Sequence, residues 1–418
     1  MILRADSECD CEECWISKLK TKPRTVTICP DDAYRYFLSP LPPFQTTDAS
    51  EPSFQVERGA YHLEALVYHL NDRSLTSAQR RHAIGEFKAS ASWRDYSLDW
   101  SLTLLNGFLR AEPQTKPGKR CRDSVIKTFT GVIAIPTEDG GVDYPWIRGV
   151  IRRFPHLPVV ITEILMTLTN SSHRPYFTSV LKLLDSVTIS TASDQELSTQ
   201  VALMISSPGA ISCLFQHISR EIRIPQPGDL MFRGLDLKYS LRALLFVFRS
   251  SKDRVRNLLY SNDTVYCIYS WCKTMLSPLH LASIKDDNAH MELIVELVKC
   301  LIQLFRFAIY FYGAPAMVLF LRGGLLHSFV LAVKLIVYDE AHPVSPAYFG
   351  ETLGQSFVYI IAPLRRKMLF CSRILNLTVE FVARLDEDDL EWFRDHIDAN
   401  DFSDENKNLC QLGTDGKC

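Results

Sequence analysis

The 418-residue sequence lacks every complete catalytic signature that a short motif can carry. It has no GxSxG, no HExxH, no SxxK with its partners and no GxGxxG, and its histidines form no defensible spacing with Cys or carboxylates. It lacks an excess of either charge. With 46 basic residues against 48 acidic ones, no global field draws the chain to nucleic acid or acidic lipid. The opening MILRADSECDCEECW is acidic where a secretion signal would be basic and then apolar, so no signal is expected. Without one, the sequons at Asn170, Asn262 and Asn376 carry no weight. The sequence also lacks an apolar run of bilayer length. Phe307 to Leu321 is uncharged for fifteen residues, but Gly313 and Pro315 interrupt it, and a span needs about twenty. Strand-like alternation and a repeat of fixed period are missing too.

What is present is helical phrasing, densest from Glu292 to Tyr338. Glu292, Glu296, Lys299, Gln303 and Arg306 step by four, three, four and three, which places them on one line along a helix. Leu293, Ile294, Leu297, Val298, Leu301, Ile302, Leu304 and Phe305 cover the other faces. Such a helix is wrapped by neighbours and touches water along one stripe. Two buried helices joined near Gly313 to Pro315, with a turn at Arg322 to Gly324, account for the run from Phe307 onward. The hydrophobic fraction of 47 % suits a folded chain. The twelve cysteines are scattered, with Cys213, Cys267, Cys300 and Cys371 inside apolar helical runs. That pattern suits a reducing compartment, cytoplasmic or nuclear.

Composition divides the chain into three segments. Residues 1–56 are expected to be largely irregular, broken by Pro23, Pro30, Pro40, Pro42, Pro43 and Pro52. Residues 57–400 read as an α-helical array, with a subdivision near 111–145. There a basic loop is expected over Ala111 to Arg122 and a second loop over Pro136 to Pro145. Residues 401–418 read as an acidic, disordered tail. Within the array helices come in pairs: Val159 to Thr169 with Arg174 to Val187, then Asp194 to Ile205 with Gly209 to Ile222. Asp194 is expected as an N-cap. Leu235 to Phe248 and Asp263 to Met275 come next. The last long helix is expected over Leu364 to Leu385. Its inward side is Leu364, Met368, Leu375, Val382 and Leu385; its outward side is Arg365, Arg366, Arg373, Glu380 and Arg384. The fold class is all-α, a HEAT- or armadillo-like solenoid, with a compact multi-helix bundle as the rival shape.

Four stretches resemble chemistry. Asp339-Glu340-Ala341-His342 has the letters of a DEAH box, but neither Gly118-Lys119 nor Gly416-Lys417 sits in a phosphate-binding loop, so it reads as a helix end stopped by Pro343. Cys11-Glu12-Glu13-Cys14 has the spacer that lets two thiolates reach one zinc ion, with Cys9 and Cys29 as further candidate ligands. The neighbouring Asp10, Glu12 and Glu13 oppose thiolate formation, and the reading favours free thiols. The acidic stretch after Leu385 departs from a calcium loop at Phe402 and Ser403 and reads as a short closing helix, Asp388 to Ile397, with Trp392 and Phe393 packing inward. Lys116 to Arg122 reads as a solvated basic loop rather than an import signal.

The phrases RRFPHLPVVITEILMTLTNSSHRPYFTSVLKLLDSV, RGLDLKYSLRALLFVFRSS and DEDDLEWFRDHI resemble the helical region of a large fungal group of MYND-type zinc-finger proteins. The likeness covers roughly residues 60–400 and rests on texture. After Leu409 come Cys410 and Cys418, without a close cysteine pair or a His, so the finger is absent or truncated here and no zinc ligand carries over. What the resemblance implies is a helical platform for protein interaction.

The expectation is therefore a non-catalytic α-helical scaffold that binds a protein partner on a concave face or beside its buried central helices. No catalytic residue, cofactor, nucleic acid or membrane span is expected. The alternatives are an enzyme whose site is assembled from dispersed residues, and a zinc-binding adaptor acting through Cys9, Cys11, Cys14 and Cys29.

Overall fold

The computed structural model describes residues 76–89, 116–135, 141–169, 174–222, 230–250, 264–275, 288–325 and 371–385, with positions 67, 98, 99, 101, 102, 104, 105, 137, 327, 328 and 387. Helix accounts for 88 % of the described residues and no strand runs through them, so the class is all-α. Contacts divide the chain into two compact units, Met1–Cys213 and Leu214–Cys418.

Unit 1 holds α1 (Ser77–Ala89), α2 (Lys116–Ile133), α3 (Tyr144–Arg153), α4 (Leu157–Thr169), α5 (Arg174–Thr191), α6 (Gln195–Ile205) and the start of α7 (Pro208–Glu221). The organising element is α5, which packs against α2, α3, α4 and α6. Phe177, Val180, Leu181, Leu184 and Val187 are buried, as the helical period requires. The last turns are buried on most sides although they are rich in hydroxyls. Those hydroxyls donate back along the helix: Ser186 to Lys182 O at 2.9 Å, Thr188 to Asp185 O at 2.8 Å and Ser190 to Val187 O at 2.8 Å. A buried hydroxyl that finds a carbonyl on its own helix escapes the cost of an unmade hydrogen bond.

The expected basic loop before Arg122 is overturned in part. Residues from Lys116 onward are the opening turns of α2, where Pro117 is tolerated because the first helical amides have no partner to lose. Cys121, Val125, Phe129 and Val132 give α2 a buried face. Arg122 is buried too, with its guanidinium on Asp123 Oδ1 at 3.1 Å.

Unit 2 holds the rest of α7, then α8 (Leu230–Ser250), α9 (Thr264–Met275), α10 (Asn288–Tyr312), α11 (Ala314–Arg322) and α12 (Ser372–Val382). Here α10 is central, packing against α8, α9 and α11, while α12 packs on α11. Gly313, at φ +63°, ends α10 and caps α11, and Gly323-Gly324 closes α11 with Gly324 at φ +68°. Both breaks fall where the glycines indicate, since positive φ is nearly free only for glycine. Gly323 is needed for a different reason: an added Cβ would collide with the Tyr269 ring, whose hydroxyl donates to Gly323 O at 3.1 Å.

The polar stripe of α10 touches water, as expected, and also meets α8. Glu296 and Lys299 are only partly exposed, and the stripe meets charges on α8. Arg242 reaches Glu296 at 3.5 Å, Lys299 reaches it at 3.0 Å, and Arg249 donates to Gln303. Close approach of the two helices is set at Gly234, where a side chain would overlap Leu293. Aromatic pairs complete the core: Phe305 with Phe320, centroids 4.2 Å apart, and Trp271 with Phe215 at 5.2 Å.

No single helix among the described residues is long and apolar enough to cross a bilayer. One pair, α6 with α7, passes by length and composition together but is bent by 79° at its break.

Two glycine substitutions separate close packing from helix propensity. Gly323→Ala is expected to destabilise the chain by about 1–3 kcal/mol through forced displacement of Tyr269. Gly85→Ala, in the exposed middle of α1 with open space at its Cβ, is expected to stabilise its unit by up to ~1 kcal/mol. Urea titration followed by far-UV circular dichroism reads both, and equal shifts in one direction would contradict the packing account.

Candidate functional site

Most of the stretches that resembled chemistry lie outside the described residues: Cys9, Cys11, Cys14 and Cys29, Asp339 to His342, and the acidic segment from Asp388. Among the described residues no three His, Cys, Asp or Glu side chains gather as a metal site. Of the described cysteines, Cys121, Cys213, Cys272 and Cys300 are buried and unbridged. Burial pushes the Cys272 thiol far above its ordinary range, so it packs as a small hydrophobe.

The charged clusters of unit 1 are joints between helices. Asp143 caps α3, accepting from the Trp146 amide at 2.9 Å, and pairs with Lys88 from the end of α1. Lys88 also lies 5.9 Å from the centre of the Trp146 ring, and Phe87 meets that ring edge-on at 6.1 Å. The Trp146 indole donates to Val132 O at 3.3 Å, so one side chain ties α3 to both α1 and α2. Burial pushes the Asp143 carboxyl up, but the Lys88 hydrogen bond, the Trp146 amide and the Lys88 charge together hold it below the ordinary carboxylate value.

A second joint lies one turn further along α3. Arg148 donates to Ser190 O and to Ser193 Oγ, both at 2.9 Å, and Arg152 reaches Asp194 at 2.7 Å. Asp194 is the N-cap of α6, accepting from the Leu197 amide at 3.1 Å, as its position in the sequence indicates. The Arg152 hydrogen bond and the Leu197 amide hold its carboxyl below the ordinary value. In unit 2, burial pushes Glu296 up, and the Lys299 hydrogen bond with the charges of Lys299, Lys238 and Arg242 more than offsets it. Each of these carboxylates is held ionised by structural partners.

A shallow depression runs beside α1, lined by Ala78, Arg81, His82, Gly85, Glu86 and Ala89. All six belong to one helix, and the His82–Glu86 contact of 3.3 Å is an exposed pair one turn apart.

The surface feature that stands apart is on α12. Of the helix expected over Leu364 to Leu385, residues 364–370 lie outside the described residues; Cys371 is extended, at φ −141° and ψ 101°, and α12 begins at Ser372. Its orientation is corrected. Ile374 and Phe381 face inward, at 0 % and 8 % exposure. Leu375 and Val382, expected inside, are 46 % and 43 % exposed, and Val379 between them is 59 % exposed. Steps of four and three align these three as an aliphatic stripe along one side. Arg373, Glu380 and Arg384 are exposed, as expected. At 100° per residue they fall well away from the stripe, which Asn376, Thr378 and Ala383 flank with neutral side chains. A signal was present in the sequence: α12 carries two apolar seams, Ile374–Phe381 and Leu375–Val379–Val382, and only the first is buried.

The Asp143 joint gives a pH test. Asn caps a helix about as well as Asp, so Asp143→Asn removes the charge and keeps the cap. The carboxylate stabilises the fold above its unfolded value of about 3.8, and that contribution is lost as pH falls through its lower folded value. Wild type is expected to exceed the variant by about 1 kcal/mol at pH 7, with the gap closing below pH 3.8. A gap that is unchanged at pH 3 in thermal denaturation would contradict the assignment.

No known family model matches the chain, and no curated protein matches it in sequence.

Proposed function

We propose that this chain is a non-catalytic α-helical scaffold that binds a protein partner, with the Leu375–Val379–Val382 stripe as the anchor of the docking surface. The stripe carries the reading: aliphatic side chains held in line by a helix, with neutral flanks, supply the apolar centre of an interface. The uses found for charge support it. Asp143, Asp194, Glu296 and their basic partners are occupied in caps and interhelical pairs, which is a stabilising role. Packing of consecutive helices within each unit, α4 on α5 and α10 on α11, is in keeping with a HEAT- or armadillo-like array. A helical interaction platform is also what the resemblance to MYND-type proteins implies. The buried cysteines without disulfide bonds fit a cytoplasmic or nuclear setting.

The test is affinity capture with the full chain and two variants. Val379→Asp is expected to leave stability within about 0.5 kcal/mol, because the side chain is exposed, and to reduce recovery of the partner at least tenfold. Leu203→Asp, on an exposed apolar residue of unit 1, is expected to leave recovery unchanged. A partner held equally by wild type and Val379→Asp would overturn the stripe as anchor. Turnover of a substrate by the purified chain would overturn the non-catalytic reading.

A further inference from the structure

The joint where α3 meets the turn between α5 and α6 holds a charge that its neighbours do not match. Arg148 is half-buried, and its hydrogen bonds go to neutral oxygens, Ser190 O and Ser193 Oγ, both at 2.9 Å. Asp194 feels the Arg148 charge, but its own bonds are to Arg152 at 2.7 Å and to the Leu197 amide at 3.1 Å. Two guanidinium groups thus meet one carboxylate, and the more enclosed of the two has a carbonyl and a hydroxyl as its acceptors. A negative charge at that hydroxyl would turn a neutral contact into a charge-assisted one, which is roughly twice as strong.

Ser193 is placed to carry such a charge. The hydroxyls before it on α5, at Thr188, Ser190 and Thr191, are buried and bonded to carbonyls of their own helix. Ser193 lies past the end of α5, in the turn 192–194 that leads into α6. It is exposed, together with Ala192, Gln195 and Glu196. Acidic residues stand at the first and third positions after it, Asp194 and Glu196. That charge pattern suits a protein kinase whose substrate groove is basic.

We propose that Ser193 is a phosphorylation site and that Arg148 is the receptor for its phosphoryl group. Ser193 Oγ attacks the γ-phosphorus of ATP held by an acidophilic protein kinase. The bond from that phosphorus to the β,γ-bridging oxygen breaks, ADP leaves, and the hydroxyl proton passes to the base of the kinase. The product carries about two negative charges at neutral pH and three strong acceptor oxygens. Those oxygens are attached through the atom that Arg148 already reaches. The modification fastens the α5–α6 turn to α3. It is independent of the stripe on α12 and of the partner reading.

Two measurements on the full chain test this. In the first, the folded chain is treated with ATP and an acidophilic Ser/Thr protein kinase, and tandem mass spectrometry locates the phosphate. Incorporation at Ser193 is expected, with loss of that signal in Ser193→Ala. A chain that takes no phosphate at Ser193, or takes it there only after unfolding, overturns the site. In the second, phosphoserine is built in at position 193 during translation, and phosphorus NMR follows its second ionisation. The ordinary pKa of that step is about 6, and Arg148 is expected to lower it by about 0.5–1 pH unit. Arg148→Gln is expected to return it to the ordinary value, and Arg148→Lys, which keeps the charge, to retain most of the lowering. Far-UV circular dichroism verifies the fold of each variant, and the wild-type value decides alone if Arg148→Gln does not fold. An ordinary second pKa in wild type, or a lowered one that survives Arg148→Gln, overturns Arg148 as the receptor.

Discussion

A helix packed among other helices has little water to which it can turn a polar side chain. Both units are built around that constraint, and they meet it differently. In unit 1, α5 uses small hydroxyl residues that bond to its own carbonyls, so these hydroxyls need no polar partner from outside. In unit 2, α10 keeps long charged residues on one line and sets them against the basic residues of α8. The first device lets neighbours approach from several sides. The second commits one side of α10 to one neighbour, and Gly234 lets that neighbour come close.

The ends of the helices are the second level of organisation. Asp143 and Asp194 each cap a helix and at the same time receive a basic side chain from another helix. A carboxylate used twice ties the start of one helix to the position of another. Gly313, Gly323 and Gly324 do the corresponding work in unit 2 through backbone freedom and close contact. Charge in these places fixes geometry, which bears on the functional reading because the same residue types carry catalysis elsewhere.

Much of the helical layout is legible in the sequence. Asp194 as a cap, the break at Gly313 to Pro315, the turn at Gly323-Gly324 and the buried faces of α4, α5 and α8 all come from spacing and local backbone rules. Lys116 to Arg122 misleads because prolines and basic residues signal a loop when counted. They are compatible with a first helical turn when Cys121, Val125 and Phe129 continue the apolar period behind them. The stripe on α12 misleads for the opposite reason. Leu375 and Val382 are apolar at helical spacing, and so are Ile374 and Phe381; periodicity alone does not rank two seams on one helix.

The sequence by itself determined that the described chain is helical, where several helices start and stop, and which residues are apolar enough to be buried. These are local matters, decided by propensity, capping and period within a few residues. Only the tertiary structure decided which apolar seam of α12 is buried, that the polar line of α10 meets α8 as well as water, and that Asp143 and Lys88 belong together. Those outcomes depend on which helices become neighbours. That choice is made by shape and charge matching between segments far apart in the chain, which local periodicity does not encode.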